Sequence, residues 1–94
     1  MKIEITESKT KGTAEAVENG VKAGEMTYSI ASDEYIIVDH TEVNPEFKGQ
    51  GVGKKLLAEI VDMARTKNIK ILPLCPFVKA MFERNDDIQD VLKK

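Results

Sequence analysis

Three glycines in one short stretch are the feature of this sequence that points most clearly to chemistry. Gly49, Gly51 and Gly53 alternate along Phe47–Gly53 (FKGQGVG), after residues typical of a strand and before an amphipathic helical pattern. A glycine-rich turn exposes successive backbone N–H groups, and a helix N-terminus adds about half a positive charge. The segment therefore predicts an anion site at a strand-to-helix turn, with phosphate as the expected ligand.

The two commonest glycine signatures do not fit this loop. A dinucleotide fingerprint, G-x-G-x-x-G, would need glycine where the chain has Lys54 or Leu56. A Walker loop ending at Gly53-Lys54 would need glycine at Lys48 and Ser or Thr at Lys55. Spacing alone leaves two alternatives open: phosphate or nucleotide binding, and a turn that needs small residues only for packing.

Cys75 is the only thiol of the chain. Pro76 suits the first turn of a helix, which would make Cys75 the residue that caps that helix. A helix N-terminus stabilises a thiolate and so favours a reactive cysteine. The alternative is a buried cysteine that acts only as a small apolar residue.

His40 is the only histidine and lies on the longest β-rich stretch, Glu34–Val43. A histidine changes its charge near neutral pH and suits a general base, and the alternative is an ordinary half-exposed strand residue. Glu42 shares the strand face of His40 by the period of two and is the second candidate base, whereas Asp39 and Thr41 are expected on the other face.

The scaffold for these residues is predicted from hydrophobic periodicity. Alternating stretches, with an Asn-Gly hairpin signal between the second and third, predict an antiparallel meander of four strands. The predicted strands are Lys2–Glu7, Thr13–Glu18, Gly24–Ala31 and Glu34–Val43.

The second half of the chain changes to a helical period. The spacing predicts a helix from Val52 to about Lys67, a short strand at Ile69–Leu74, a second helix from Pro76 and a closing turn at Ile88–Leu92. A strand, helix, strand connection is right-handed and makes the two strands parallel. The expected fold class is therefore α+β, with a mixed sheet of about five strands and two main helices.

Length and composition limit the classes of protein that fit. Ninety-four residues with 41% hydrophobic and 32% charged side chains predict one globular domain, residues 1–94. A net charge of −2 lacks the basic surplus of a nucleic-acid binder, and a single histidine argues against a histidine-rich metal site. One cysteine excludes an intramolecular disulfide, and no apolar run suits a signal peptide or membrane span, so we expect a cytoplasmic protein without a membrane partner.

The glycine loop and its flanks resemble the acetyl-CoA motif of the GNAT-like N-acetyltransferases. That motif reads (Arg/Gln)-x-x-Gly-x-(Gly/Ala), and Lys48 stands in the Arg/Gln position, with Gly51 and Gly53 as the two small positions. The flanking residues match as well, since Val43-x-Pro45, at the end of the predicted strand, precedes the loop. His40–Val43 and Pro73–Pro76 further resemble the very short, single-domain subfamily.

The resemblance, which covers roughly Glu25–Asn85, implies a GNAT-like fold that binds acetyl-CoA and transfers the acetyl group to an amine acceptor, on a small molecule or a protein. In that fold the loop amides hold the pyrophosphate of coenzyme A. The pantetheine arm pairs with the edge of Glu34–Val43, where that strand separates from Ile69–Leu74. The predicted coenzyme A contacts are Thr41, Val43, Phe47, Lys48, Gly49, Gln50, Gly51, Val52, Gly53 and Lys54.

Two departures from the family affect the expected chemistry. Family members carry two helices after the first strand and a further C-terminal hairpin, which enclose the acceptor; this chain has neither, so we expect an open acceptor site or one completed by another molecule. The usual tyrosine acid is missing from the last helix, whose aromatic residues are Phe77 and Phe82. Catalysis would then run through acetyl-Cys75, or by direct attack with His40 or Glu42 as base. The alternative is a non-catalytic acyl-CoA-binding module that acts with a partner protein.

Overall fold

Five strands, paired in the order in which they occur in the chain, form one mixed sheet in the computed structural model, which describes all 94 residues. Strands β1 to β4 are antiparallel, and β5 is parallel to β4. The predicted α+β class and the parallel last strand are therefore confirmed. The elements are β1 (Lys2–Glu7), β2 (Lys11–Glu18), β3 (Val21–Ile30), β4 (Tyr35–Val43), a 3-10 turn (Pro45–Phe47), α1 (Val52–Lys67), β5 (Lys70–Pro73), α2 (Pro76–Arg84) and a second 3-10 turn (Asp86–Val91).

Helix α1 has the bounds that the sequence predicts. Its apolar face is buried against the sheet, and burial of each large aliphatic side chain contributes about 1.5–3 kcal/mol. The helix ends at Asn68, which takes the left-handed conformation (φ 56°, ψ 47°) and donates its N–H to the carbonyl of Ala64. None of the helices is both long enough and apolar enough to span a membrane.

Both helices lie on one face of the sheet. The ring of Phe77, in the first turn of α2, packs against Gly53 in the first turn of α1. Except at the adjacent Ala23 and Gly24, the buried residues of the sheet alternate with exposed or half-buried ones, and their side chains point toward these helices. We call the second face, which no helix covers, the open face.

A β-bulge in β4 divides this strand into two halves. Val38 is opposite Tyr28 and His40 is opposite Thr27, so Asp39 is an extra residue without a partner on β3. Because the side-chain period of a strand is two, the extra residue exchanges the faces. Val38 points toward the helices before the bulge, and Thr41, opposite the buried Met26, does so after it.

Tyr28 joins β1 to the end of α1 through a hydrogen-bonded carboxylate. Its ring lies directly over Gly12, where any side chain would overlap it. Its hydroxyl donates to Glu7 Oε2 at 2.6 Å, and Lys67 Nζ reaches Glu7 Oε1 at 3.2 Å. The Tyr28 hydroxyl and, after it, Lys67 hold the pKa of Glu7 below its usual value, whereas burial and the Glu7 charge raise the pKa of Tyr28.

Replacement of Tyr28 with Phe keeps the ring and removes only the hydroxyl. A carboxylate whose pKa is lowered by folding stabilises the protein above its unfolded pKa, about 4.5, and this stabilisation is lost as the pH falls through the folded pKa. We expect Tyr28→Phe to lower the free energy of unfolding by about 1 kcal/mol at neutral pH, because the bond is charge-assisted but partly solvated. The difference from the wild type should shrink below about pH 4. Urea unfolding at both pH values measures it, and an equal loss at both would contradict the assigned role of Glu7.

Candidate active site

Strands β4 and β5 separate halfway along β4, and the site lies in the resulting gap. The parallel pairing joins Tyr35–Val38 to Lys70–Pro73 and then stops. The amides of Leu74 and Cys75 both donate to the Val38 carbonyl at 3.1 Å, which ends the ladder as the chain turns away into α2. The outer half of β4 therefore has no strand beside it on this side.

The unpaired edge of β4 presents backbone groups to the gap. Asn44 donates its N–H to the Ala23 carbonyl at 2.8 Å, so Asn44 faces β3. Since successive residues of a strand direct their N–H and C=O groups to alternate sides, those of Thr41 and Val43 face the gap. These are the two strand residues that the sequence predicts to pair with an extended ligand.

The glycine loop follows through a capped turn. Asn44 Oδ1 accepts from the Glu46 amide at 3.0 Å and starts the 3-10 turn. Gly49 and Gly51 then take positive φ values of 84° and 71°, and open space surrounds the position of a Cβ at both. Gly51 is the N-cap of α1, so no side chain caps the amides of the first turn. The first hydrogen bond of α1 comes from the Lys55 amide to the Gly51 carbonyl, so the preceding amides have no acceptor in the helix.

Gly53 differs from the other two glycines because it is needed for packing. A Cβ at this position would lie 2.8 Å from a ring atom of Phe77, whereas Gly49 and Gly51 have nothing within 4 Å. The packing alternative raised by the sequence thus applies to Gly53. The anion prediction is supported by the open backbone at Gly49 and Gly51.

Three lysines surround the loop without fixed partners. Lys48, Lys54 and Lys55 are exposed, and none of them belongs to an ion pair of the structure. Together with the free amides of α1 they form a positive end of the gap. This end can hold phosphate groups through point charges and backbone N–H groups.

Cys75 lies at the other end of the gap, where β5 ends. It is the N-cap of α2, with Pro76 in the first turn, as the sequence predicts. Its side chain is only 5% exposed, and its thiol donates to the Thr41 hydroxyl at 3.2 Å. The sequence identified Thr41 as a backbone contact only and missed this side-chain role, because no sequence signal located the bulge that points Thr41 toward Cys75.

His40 and Glu42 lie on the open face, with side chains 62% and 73% exposed. His40 Nε2 lies 3.9 Å from Glu42 Oε2. His40 does not contact Cys75, because the sheet separates the open face from the helix side where the thiol meets Thr41. Asp39, expected on the face opposite His40, instead accepts a hydrogen bond from Ser29 at 2.8 Å on the open face, since it is the bulged residue.

Apolar side chains border the gap. Three of the five large hydrophobic residues that are exposed anywhere in the protein, Val43, Leu74 and Phe77, follow or end the two separating strands. The gap thus combines a phosphate-binding end, an unpaired strand edge, an apolar border and a thiol. These are the features that an extended thioester with a phosphate-bearing end requires.

Comparison with known proteins agrees with this geometry. The sequence model described as GCN5-related N-acetyl-transferase matches residues 13–91. An NMR structure of a GCN5-like candidate N-acetyltransferase from Staphylococcus aureus is 42% identical, with a TM-score of 0.71, over 96% of this chain and 87% of that one. A search of curated proteins found no significant match.

More distant structures share the fold. The ribosomal-protein-alanine N-acetyltransferase from Brucella melitensis has a TM-score of 0.69 at 20% identity over 82% of this chain and 62% of its own. A candidate streptothricin acetyltransferase from Bacillus anthracis, in complex with acetyl coenzyme A, has a TM-score of 0.60 at 19% identity over 70% of this chain. This chain spans only 38% of the latter. Acetyl-CoA fits as the cosubstrate, and the chain belongs to the GCN5-related N-acetyltransferase family.

Proposed function

We propose that this protein transfers the acetyl group of acetyl-CoA to an amine by way of Cys75. The observation that carries the proposal is the position of the Cys75 thiol, nearly buried, bonded to Thr41 and placed where β4 and β5 separate. Family membership supports acetyl-CoA-dependent transfer and lends no support to the non-catalytic alternative.

The glycine loop and the β4 edge would hold the cosubstrate. Backbone N–H groups of Gly49 and of Gly51 to Lys54, with Lys48 as a point charge, suit the pyrophosphate, and Val52 belongs to this set. Gln50 lies in the same turn, and its amide donates to the Phe47 carbonyl at 3.2 Å. The backbone N–H and C=O groups of Thr41 and Val43 suit the amides of the pantetheine arm. Phe47 would border the ligand on the side of the glycine loop. Bound in this way, acetyl-CoA supplies an activated thioester at the Cys75 end of the gap.

Cys75 Sγ would take the acetyl group in the first step. A bond forms from Sγ to the acetyl carbonyl carbon while the bond from that carbon to the sulfur of coenzyme A breaks. The proton of the Cys75 thiol passes to the departing thiolate, so charge and atoms balance. One thioester replaces another, and the step is therefore close to isoenergetic. In the resting state the Thr41 hydroxyl accepts a hydrogen bond from the Cys75 thiol, and this contact holds Sγ at the gap.

The amine would approach from the open face in the second step and reach acetyl-Cys75 through the gap, where β4 and β5 are no longer paired. The nitrogen of the neutral amine attacks the carbonyl carbon of acetyl-Cys75, the bond from that carbon to Sγ breaks, and the amine loses one proton. Cys75 leaves as a thiolate and regains its proton from solvent. His40 or Glu42 would accept that proton, since both lie on this face beside the gap. A direct attack of the amine on acetyl-CoA, with the same base and no role for Cys75, is the competing route.

Binding at the loop can be tested with coenzyme A in a thermal-shift assay. Ligand at 100 times its dissociation constant should stabilise the wild type by about 2.7 kcal/mol. Gly51→Glu should abolish this shift, because it places a carboxylate where the pyrophosphate should lie. Gly20→Glu is the matched control, since Gly20 has the same kind of backbone (φ 79°) and open surroundings in the β2–β3 turn. Both variants should lose about 1–2 kcal/mol of stability without ligand. An equal coenzyme A shift in both would exclude the loop as the site.

Covalent transfer can be tested by intact-mass analysis after incubation with acetyl-CoA. The wild type should gain one acetyl group, and Cys75→Ala should gain none. Thr41→Val should slow the acetylation about tenfold, because it removes the hydroxyl that positions the thiol, while coenzyme A binding stays the same. If Cys75→Ala transfers acetyl to an amine as fast as the wild type, the direct route replaces the covalent one.

A further inference from the structure

The open face carries an arrangement of charge that neither packing nor the proposed chemistry explains. Four glutamates lie directly opposite one another across four strands. Glu4 pairs with Glu15, Glu15 with Glu25, and Glu25 with Glu42. Like charges in directly opposite positions of a sheet are destabilising. We call these four residues the acidic row.

Lysines compensate only part of this charge. Lys2 is 3.5 Å from Glu4, and Lys22 lies between Glu15 and Glu25. The hydrogen bond to Glu25 raises the pKa of Lys22, which therefore stays charged. Two cations thus face four carboxylates, and the row keeps a negative surplus.

The row ends at the active site. Its last member, Glu42, lies next to the gap and forms no ion pair with a lysine or arginine; the basic side chain recorded beside it is His40, at 3.9 Å. With adjacent strands about 4.8 Å apart, the row extends roughly 14 Å from β1 to this point. The surplus of negative charge is therefore continuous with the place where an amine must arrive.

We propose that the open face binds a basic segment of an acceptor polypeptide, whose Lys and Arg side chains lie on the acidic row and bring one lysine to the gap. The inference rests on the proposed acetyl transfer and specifies its acceptor. The occupant is a polypeptide because the row matches about four to five residues of extended chain, at about 3.3 Å each. The face is also uncovered and has no walls that would enclose a small amine. Complementary charge supplies the affinity and the orientation.

Affinity for a fluorescent peptide with one acceptor lysine and several arginines tests the proposal without any turnover. We expect Glu4→Gln with Glu15→Gln to weaken peptide binding about five- to tenfold, since exposed ion pairs each contribute modestly. Binding to the wild type should also weaken more steeply with salt than binding to the variant. The matched control is Glu59→Gln with Glu83→Gln, which removes the same charge from exposed positions on the two helices and should leave the affinity unchanged.

The melting temperature of the variant shows whether weaker peptide binding results from a loss of folding. Removing two members of the row relieves repulsion between like charges but also removes the ion pairs of Lys2 with Glu4 and of Lys22 with Glu15, so the melting temperature of the Glu4→Gln, Glu15→Gln variant should stay close to that of the wild type. An unchanged peptide affinity in this variant, or an equal loss in the helix control, would overturn the proposal. Binding of spermidine as tight as that of the peptide would overturn the assignment of a polypeptide.

Cys75 acetylation, measured on the same variants, distinguishes this inference from the proposed function. It should be unchanged in the Glu4→Gln, Glu15→Gln variant, because neither residue lies at the gap. Acetylation of Cys75 without peptide binding would overturn only the acidic-row assignment. Peptide binding without acetylation of Cys75, with transfer intact in Cys75→Ala, would overturn only the covalent route.

Discussion

The site depends on one extra residue in β4. Asp39 has no partner on β3, and because of it the outer half of the strand points its side chains the opposite way from the inner half. Thr41 then faces the helices and meets Cys75, while His40 and Glu42 face the open side. A regular strand would direct His40 into the helix side and Thr41 to solvent. The bulge thus assigns the thiol and the candidate bases to different faces of the sheet.

Much of the fold could be predicted from the sequence because its signals are local. The bounds of α1 follow from its apolar period, and the Asn19-Gly20 turn takes the positive φ values that its residue types require. The predicted strand bounds are wrong where pairing with a neighbouring strand, and not the local sequence, sets the end of a strand. β3 begins at Val21 instead of Gly24, because its pairing with β2 continues down to the turn.

The site was predictable in its parts and less so in its geometry. The glycine loop has a motif, and Cys75 has Pro76 beside it, so both were found. The bulge has no such signal, since nothing in the types of Asp39 and its neighbours separates it from a regular strand. The contact between Thr41 and Cys75 joins residues far apart in the chain and depends on that bulge. The row of glutamates is likewise visible only in the cross-strand register.

The packing of Phe77 on Gly53 has a consequence for which thioesters can react. One ring holds the first turn of α2, and with it Cys75, against the first turn of α1, whose amides are proposed to bind phosphate. The separation between these two ends is therefore set by a close-packed contact that resists compression and extension. A carrier must span this fixed distance between its phosphate and its sulfur to be held at both ends. Thioesters with a shorter arm, or without a phosphate-bearing end, would lose one of the two anchors and with it the orientation that transfer needs.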